Sequence, residues 1–214
     1  MRRLACLVLA VLALGLSGCM FFFGSNDEIL YEETFTAPTP GAWPLGSFET
    51  IDVWMDGGKY YVLAMSSVYA LGYNRLEGPF GDVQIDVDVD HILGTPGQSA
   101  GGLIFRVTDN SNFYAFLVSA AGSFTVMKWV NGTPQSTLLA WAESPAVNKG
   151  AARNHLTVIA QGSSLSFLVN GTEVAMLTDT SLSSGRVGVI AKAFDANIDV
   201  LQGFDNLVVQ TTGD

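Results

Sequence analysis

Beyond residue 28 the apolar positions fall either on every second residue or in short unbroken runs. No helix-length stretch keeps a 3.6-residue period without a breaker. In the clearest run, Val83, Ile85, Val87 and Val89 alternate with Gln84, Asp86, Asp88 and Asp90. Such alternation marks a strand with one buried and one wet face. Other short runs cover 48–55, 59–65, 102–108, 112–120, 123–130, 136–141, 155–160, 165–169, 173–177, 185–192 and 204–209. Turn residues separate them: Asp56-Gly57-Gly58, Asp109-Asn110-Ser111, Ala121-Gly122, Asn131-Gly132, Gln161-Gly162 and Asn170-Gly171. Asn-Gly between alternating runs is a strong hairpin signal, because both central residues of a type I′ turn need positive φ. About a dozen strands with short connections predict one all-β domain over 28–214, built as two antiparallel sheets packed face to face. No fixed-period repeat or second domain interrupts it.

The N-terminus follows a different pattern. Arg2 and Arg3 precede an uncharged apolar run, 4–16, which closes on Leu16-Ser17-Gly18-Cys19. That tetrapeptide resembles the bacterial lipobox, in which an aliphatic residue and two small ones precede the cysteine that becomes the first mature residue. The resemblance implies a signal peptide over 1–18, diacylglycerol on the Cys19 thiol and a tether over 19–27. The domain would then sit at a membrane, outside the cytoplasm. Met20 after the cysteine, where Asp would signal otherwise, implies outer-membrane sorting in a host that has an outer membrane. An uncleaved anchor is the alternative, since Phe21-Phe22-Phe23 extend the apolar stretch toward the ~20 residues that span a bilayer. Gly15, Ser17 and Gly18 just before Cys19 favour processing, and both readings place the domain outside the cytoplasm.

Cysteine and charge narrow the picture further. The only cysteines are Cys6 and Cys19, so the domain forms no internal disulfide and depends on burial for its stability. Loss of Arg2 and Arg3 with the signal peptide leaves eight basic against twenty acidic residues, a net charge of −12. A chain this acidic lacks the basic footprint that nucleic acid or anionic headgroups require, so no nucleic-acid partner is expected.

Several segments in order carry a family resemblance: Gly101-Gly102-Leu103-Ile104-Phe105-Arg106, Asn112-Phe113-Tyr114, Leu165-Ser166-Phe167-Leu168-Val169-Asn170-Gly171, Gly185-Arg186-Val187-Gly188-Val189 and Phe204-Asp205-Asn206. Together they resemble the concanavalin A-like lectin/glucanase superfamily, in its laminin-G-like and 3-keto-disaccharide hydrolase branches. Glu32-Glu33-Thr34-Phe35 ahead of Trp43 is similar to the opening of the same domains. The resemblance implies a jelly-roll sandwich and carbohydrate as the partner. Fold alone does not set function, so the site has to be argued from its residues.

Strand parity supplies a candidate site. If Leu103, Phe105 and Val107, then Phe113, Ala115 and Leu117, then Phe124, Val126 and Val130 face the other sheet, the opposite face carries Ile104, Arg106, Tyr114, Phe116, Val118, Thr125, Met127 and Trp129. A hairpin centred near Asn110 pairs Arg106 with Tyr114, and one centred at Ala121-Gly122 pairs Tyr114 with Trp129. Arg106, Tyr114 and Trp129 are then expected in one row across three strands, lining a glycan groove in which the rings stack on sugar and Arg106 donates to hydroxyls. The alternative is a second small core, with loops from 43–74 covering the row.

Other candidates carry less chemistry. Asp86, Asp88 and Asp90 share one strand face, neighbours ~7 Å apart. They resemble the carboxylate strand of laminarinase-like glycosidases, where two Glu act as nucleophile and acid/base, but those Glu are absent here. Retaining hydrolysis needs carboxyls ~5–5.5 Å apart, which neighbours could meet but the outer pair, with short Asp side chains, could not; a solvated acidic face is the simpler expectation. His91 and His155 stand at strand ends with no Cys, Ser elbow or zinc-ligand spacing beside them. No convincing catalytic constellation emerges. Asp205 is a candidate ligand for a structural calcium, though one carboxylate falls short of the six to eight oxygens calcium takes. The sequons at Asn131 and Asn170 read as turns. The expected function is a lipid-anchored, carbohydrate-binding envelope domain; a glycoside-active hydrolase of the 3-keto-disaccharide type and a purely structural envelope protein are the alternatives.

Overall fold

A computed structural model describes residues 27–37, 39–65, 69–195 and 197–212, and all regular structure among them is strand. The signal segment and Cys19 lie outside the described residues. The chain begins with β1 (Ile29–Glu33), β2 (Gly46–Phe48), β3 (Ile51–Asp56), β4 (Lys59–Met65) and β5 (Tyr69–Tyr73). Then come β6 (Val83–Leu93), β7 (Ser99–Asp109), β8 (Asn112–Ser119), β9 (Ser123–Val130) and β10 (Thr133–Glu143). It ends with β11 (Asn154–Gln161), β12 (Ser164–Val169), β13 (Thr172–Thr178), β14 (Arg186–Ala193) and β15 (Asp199–Thr211). Nine strands form one sheet in the order β13-β12-β11-β6-β15-β4-β3-β2, with β1 also paired to β15. The other six follow β10-β9-β8-β7-β14-β5.

The two sheets bury one core between them. On β6 the alternation is complete: Val83, Ile85, Val87 and Val89 are buried while Gln84, Asp86, Asp88 and Asp90 are partly wet. Across the interface stand Leu103, Phe105, Tyr114, Phe116, Phe124 and Val126, with Phe116 meeting Phe167 of β12 at 5.1 Å between ring centroids. The six-stranded sheet is apolar on its other face too. Ile104, Val107, Phe113, Ala115, Leu117, Trp129 and Ile190 form a second buried cluster there.

The parity expected for β7 to β9 is partly corrected. Leu103 and Phe105 do face the main core, as do Phe124 and Val126. Phe113, Ala115 and Leu117 face outward, and Tyr114, Phe116 and Val118 face inward, the reverse of the expectation. The cause is the β8–β9 turn. Ser119 pairs with Ser123 across the three residues Ala120-Ala121-Gly122, with Gly122 at φ 93°. A two-residue turn would pair Ala120 with Ser123, and that one-step slip exchanges the faces of a strand. On β7 a second irregularity sits at Arg106, whose φ of 49° is unusual for a non-glycine residue. The pairing of β7 with both β8 and β14 shifts around it, and Val107 turns to the outer face.

Two further segments differ from expectation. The run 48–55 breaks at Glu49-Thr50 into β2 and β3. Residues 69–73, expected within a covering loop, are strand β5 at the edge of the six-stranded sheet. Gly72 makes room there for the Tyr60 ring, since a Cβ at Gly72 would lie 2.3 Å from Tyr60 Cε1.

The Asn-Gly turns form as expected. Asn131 and Gly132 have φ of 53° and 75°, and Asn170 and Gly171 have 50° and 77°. A Cβ at Gly171 would meet nothing within 4 Å, so any penalty there is purely conformational. We expect Gly171→Val to lower stability by about 1–3 kcal/mol and Gly171→Asn, a residue that tolerates positive φ, to cost clearly less. Equal urea midpoints for the two variants would refute the strained-turn account.

Candidate functional site

The expected row of Arg106, Tyr114 and Trp129 does not exist. Tyr114 pairs with Phe105 and Lys128, and Trp129 pairs with Phe113. Tyr114 points into the main core, stacked on Phe105 at 5.1 Å. Its hydroxyl donates to Asp179 and accepts the Leu182 N–H at 3.1 Å. Burial, reinforced by the Asp179 carboxylate, pushes that phenol up to about 12. Arg106 is 2% exposed, and its guanidinium donates to Leu182 O at 2.9 Å and Gly162 O at 2.8 Å. These bonds tie β7 to the β11–β12 turn and account for the bulged conformation. Both residues are structural ties between the sheets.

Trp129 alone stays on the outer face, and it is fully buried. Its indole stacks on Phe113 at 4.6 Å and 15° and leans on Tyr69 at 5.4 Å. Its Nε1–H has no hydrogen-bond partner among the described residues. The second core that sequence parity offered as the alternative is therefore present, with β5 supplying much of the cover.

That cover is incomplete, and what remains is a cleft of about 710 Å³. One wall is the outer face of β5, with Tyr69, Leu71 and Tyr73 all half-buried. Pro44, Phe48, Ile51 and Val53 make the opposite wall, Trp129 lies between, and Thr50, Arg75, Asn110 and Lys192 supply the polar atoms. Tyr73 donates its hydroxyl to Asn110 Oδ1 at 2.9 Å. The Pro44 wall is fixed from behind, where Tyr60 donates to Pro44 O at 2.8 Å and packs with Phe35 and Trp43. Sequence reasoning missed this site because β5 was read as a loop. The signal it overlooked was the alternation of Tyr69, Leu71 and Tyr73 with the small residues Ala70 and Gly72.

The three aspartates of β6 occupy the outer face of the nine-stranded sheet, and cations match them. His155 contacts Asp88 at 2.8 Å and Asp86 at 3.3 Å. Arg153 bonds Asp90 at 2.9 Å and Asp88 at 3.0 Å, and Lys59 reaches Asp90 at 2.6 Å. Hydrogen bonds from His155, Thr157 and Gln84 outweigh the opposing effect of burial and hold the Asp86 carboxyl below its ordinary value. Arg153 and Lys59 likewise overcome burial at Asp90. A glycosidic general acid needs the opposite, a carboxyl kept protonated near neutrality. This ladder is an ion-pair network.

The remaining candidates are accounted for by local contacts. His91 bonds Gly94 O at 3.2 Å and the Gln202 amide at 2.9 Å. Asp205 accepts the Asn206 N–H at 2.8 Å and lies 3.9 Å from Arg153. No group of three or more His, Cys, Asp or Glu side chains converges in metal-binding geometry among the described residues.

No family model matches the chain. A 92-residue segment, 42% of the chain, is 35% identical to a TPR repeat-containing protein of Treponema pallidum (strain Nichols), and the chain spans 11% of that protein's length. Solved structures share the fold over most of the chain. The carbohydrate-binding module CBM66 from Bacillus subtilis has 21% identity and a TM-score of 0.57 over 70% of this chain and 86% of its own. A Bacillus subtilis protein of unknown function with a galectin-like fold has 13% and 0.62, over 86% and 96%. The catalytic domain of an endo-1,3-beta-glucanase (laminarinase) from Thermotoga petrophila RKU-1 has 7% and 0.64, over 89% and 100%. At these identities the likeness is one of fold, and the fold is the concanavalin A-like jelly-roll sandwich.

The β6 ladder makes stability depend on pH. The hydrogen bond to Asp86, with Asp88 adding to it, pushes His155 from its ordinary 6.5 up to about 9. A folded-state value above the unfolded one stabilises fully below pH 6.5, and the contribution is lost as pH rises through about 9. His155 is 44% exposed, so solvent screens the effect and keeps it small. We expect the wild-type melting temperature to fall between pH 6.5 and 9 by more than that of His155→Gln; parallel curves would show that the His155 pairs do not stabilise the fold.

Proposed function

We propose that this chain is a non-catalytic carbohydrate-binding domain held at the cell envelope by lipid on Cys19, with its glycan site in the cleft beside β5. One observation carries the reading: on a sandwich that also serves as a carbohydrate-binding module, the outer face of the six-stranded sheet holds an open cleft walled by the rings of Tyr69 and Tyr73 and edged by Thr50, Asn110, Arg75 and Lys192. A pyranose offers a C–H face that stacks on an aromatic ring and hydroxyls that need donors and acceptors. Aromatic walls with a few fixed polar groups answer both demands. Trp129 acts behind the site. Packed between Phe113 and Tyr69, it holds Tyr69 in one orientation and lowers the entropy that binding would otherwise cost.

The anchor rests on separate support, the lipobox-like Leu16-Ser17-Gly18-Cys19 after a basic start and an apolar run. Acyl chains on Cys19 would hold the domain at the membrane with ~0.8 kcal/mol for each buried methylene. Placement outside the cytoplasm, at an outer membrane where the host has one, follows from the same motif.

The site and the anchor are tested separately. A glycan array probed with the full chain in detergent identifies the ligand. Tyr73→Ala should then weaken it by about 2 kcal/mol, as loss of an aromatic anchor does. Trp129→Ala empties a buried site instead and should cost about 3–5 kcal/mol of stability. A Tyr73→Ala protein that binds every array glycan like wild type would remove the cleft from consideration. For the anchor, Cys19→Ala should abolish incorporation of a labelled fatty acid and the cut after Gly18; undiminished labelling would refute lipidation at Cys19.

A further inference from the structure

The charges around the cleft differ from those of the molecule that carries it. The chain has twenty acidic and ten basic residues, yet the described residues lining the cleft include two cations, Arg75 and Lys192, and no carboxylate. Neither cation forms a salt bridge among the described residues; Lys149 and Arg186 are likewise unpaired there, while Lys59, Arg106, Lys128, Arg153 and His155 stand within 4 Å of an aspartate.

Lys192 is the more telling of the two. It is half-buried on β14 opposite Tyr69, its ammonium 4.8 Å from the centre of the Phe194 ring and 5.9 Å from that of Tyr69. Among the described residues its one hydrogen bond is a long one to Ala193 O at 3.5 Å. Burial depresses its pKa, the mark of a charge held in poorly hydrating surroundings without a counter-ion. Arg75 follows Tyr73 and Asn74 at the other end of the β5 row, exposed, its backbone N–H fixed to Ala42 O at 2.8 Å. Between the two ends lies the row Tyr69-Leu71-Tyr73, ~13 Å long at the usual rise per strand residue. Guanidinium and ammonium are both donors without acceptor capacity.

We propose that the ligand of this cleft is an anionic oligosaccharide bearing carboxylates, such as a chain of uronic acids, with Lys192 and Arg75 as the residues that select it. The inference rests on the carbohydrate reading and specifies the class of sugar. The rings supply the stacking surface, and the two cations supply a charge preference at either end of the row. The carboxylate contributes the counter-ion that Lys192 lacks, offsetting the desolvation it already bears, which gives this residue more weight than an exposed lysine would have. The twenty acidic residues elsewhere repel a polyanion from the rest of the surface, so the preference is local to the cleft.

The test is a set of titrations of the full chain in detergent with tetragalacturonate, with the same tetrasaccharide after its carboxyls are reduced to alcohols, and with a tetraglutamate peptide. The expected result is that tetragalacturonate binds about tenfold or more tightly than its reduced form, a factor of ten being 1.4 kcal/mol. That preference should shrink with added salt and fall to within about twofold in both Lys192→Gln and Arg75→Gln, while Lys149→Gln, exposed and outside the cleft, keeps it in full. Because Arg75 is exposed, its variant stays informative if Lys192→Gln disturbs the packing against Phe194. Equal binding of the two saccharides overturns the charge selection and leaves carbohydrate binding standing. Binding of tetraglutamate as tightly as tetragalacturonate overturns the saccharide specificity, and binding of neither saccharide overturns this inference, while the carbohydrate reading beneath it falls only if the glycan array shows no ligand either.

Discussion

Strands β7, β8 and β9 carry apolar side chains on both faces, and each face has to leave water. The inner face is satisfied by the nine-stranded sheet, through contacts such as Phe116 on Phe167. The outer face has no third sheet. A tryptophan buries ~150–250 Å², so leaving Trp129 wet would forgo on the order of 4–6 kcal/mol at ~25 cal/mol per Å². The chain meets this demand locally: β5 joins the edge of the six-stranded sheet and brings Tyr69, Leu71 and Tyr73 onto the same face. Residues from Pro44 to Val53, on the opposite edge strands of the larger sheet and the loop before them, face that row. The cleft is the space between a cover required by burial and a wall held in place by Tyr60, Trp43 and Phe35.

Features with a strong local cause could be read directly from residues. The alternation of β6, the Asn-Gly turns, the two-sheet architecture and the double-sided apolarity of the middle strands each follow from patterns a few residues long. What could not be read was register, since a turn of three residues at Ala120-Ala121-Gly122 and one of two leave almost the same trace in composition. They differ by one step, and that step decides whether Phe113 or Tyr114 meets the core. The bulge at Arg106 is harder still to anticipate. Its cause lies in acceptors at Leu182 and Gly162, 76 and 56 residues away. β5 was hidden for another reason: its inward positions are the small residues Ala70 and Gly72, the latter leaving room for the Tyr60 ring, so the strand carries little inward hydrophobicity of its own.

The two outer faces of the sandwich treat charge in opposite ways, and that difference separates a structural surface from a site. On the nine-stranded sheet, three aspartates at alternate positions meet His155, Arg153 and Lys59 at hydrogen-bonding distance, and Thr157, Gln84 and Asn206 donate further hydrogen bonds to Asp86 and Asp88. A surface so fully paired has little to offer an incoming ligand, since any new contact must break an old one. On the six-stranded sheet the cations near the rings face no carboxylate among the described residues, and the buried indole N–H faces no acceptor. Half-buried Lys192 bears a cost in stability, because a buried polar group without a partner loses its hydration and gains nothing in return, whereas Arg75 stays exposed and hydrated. Folding alone offers no reason to hold an unpaired lysine beside the rings of Tyr69 and Phe194, and under the anionic-sugar proposal a ligand carboxylate supplies one.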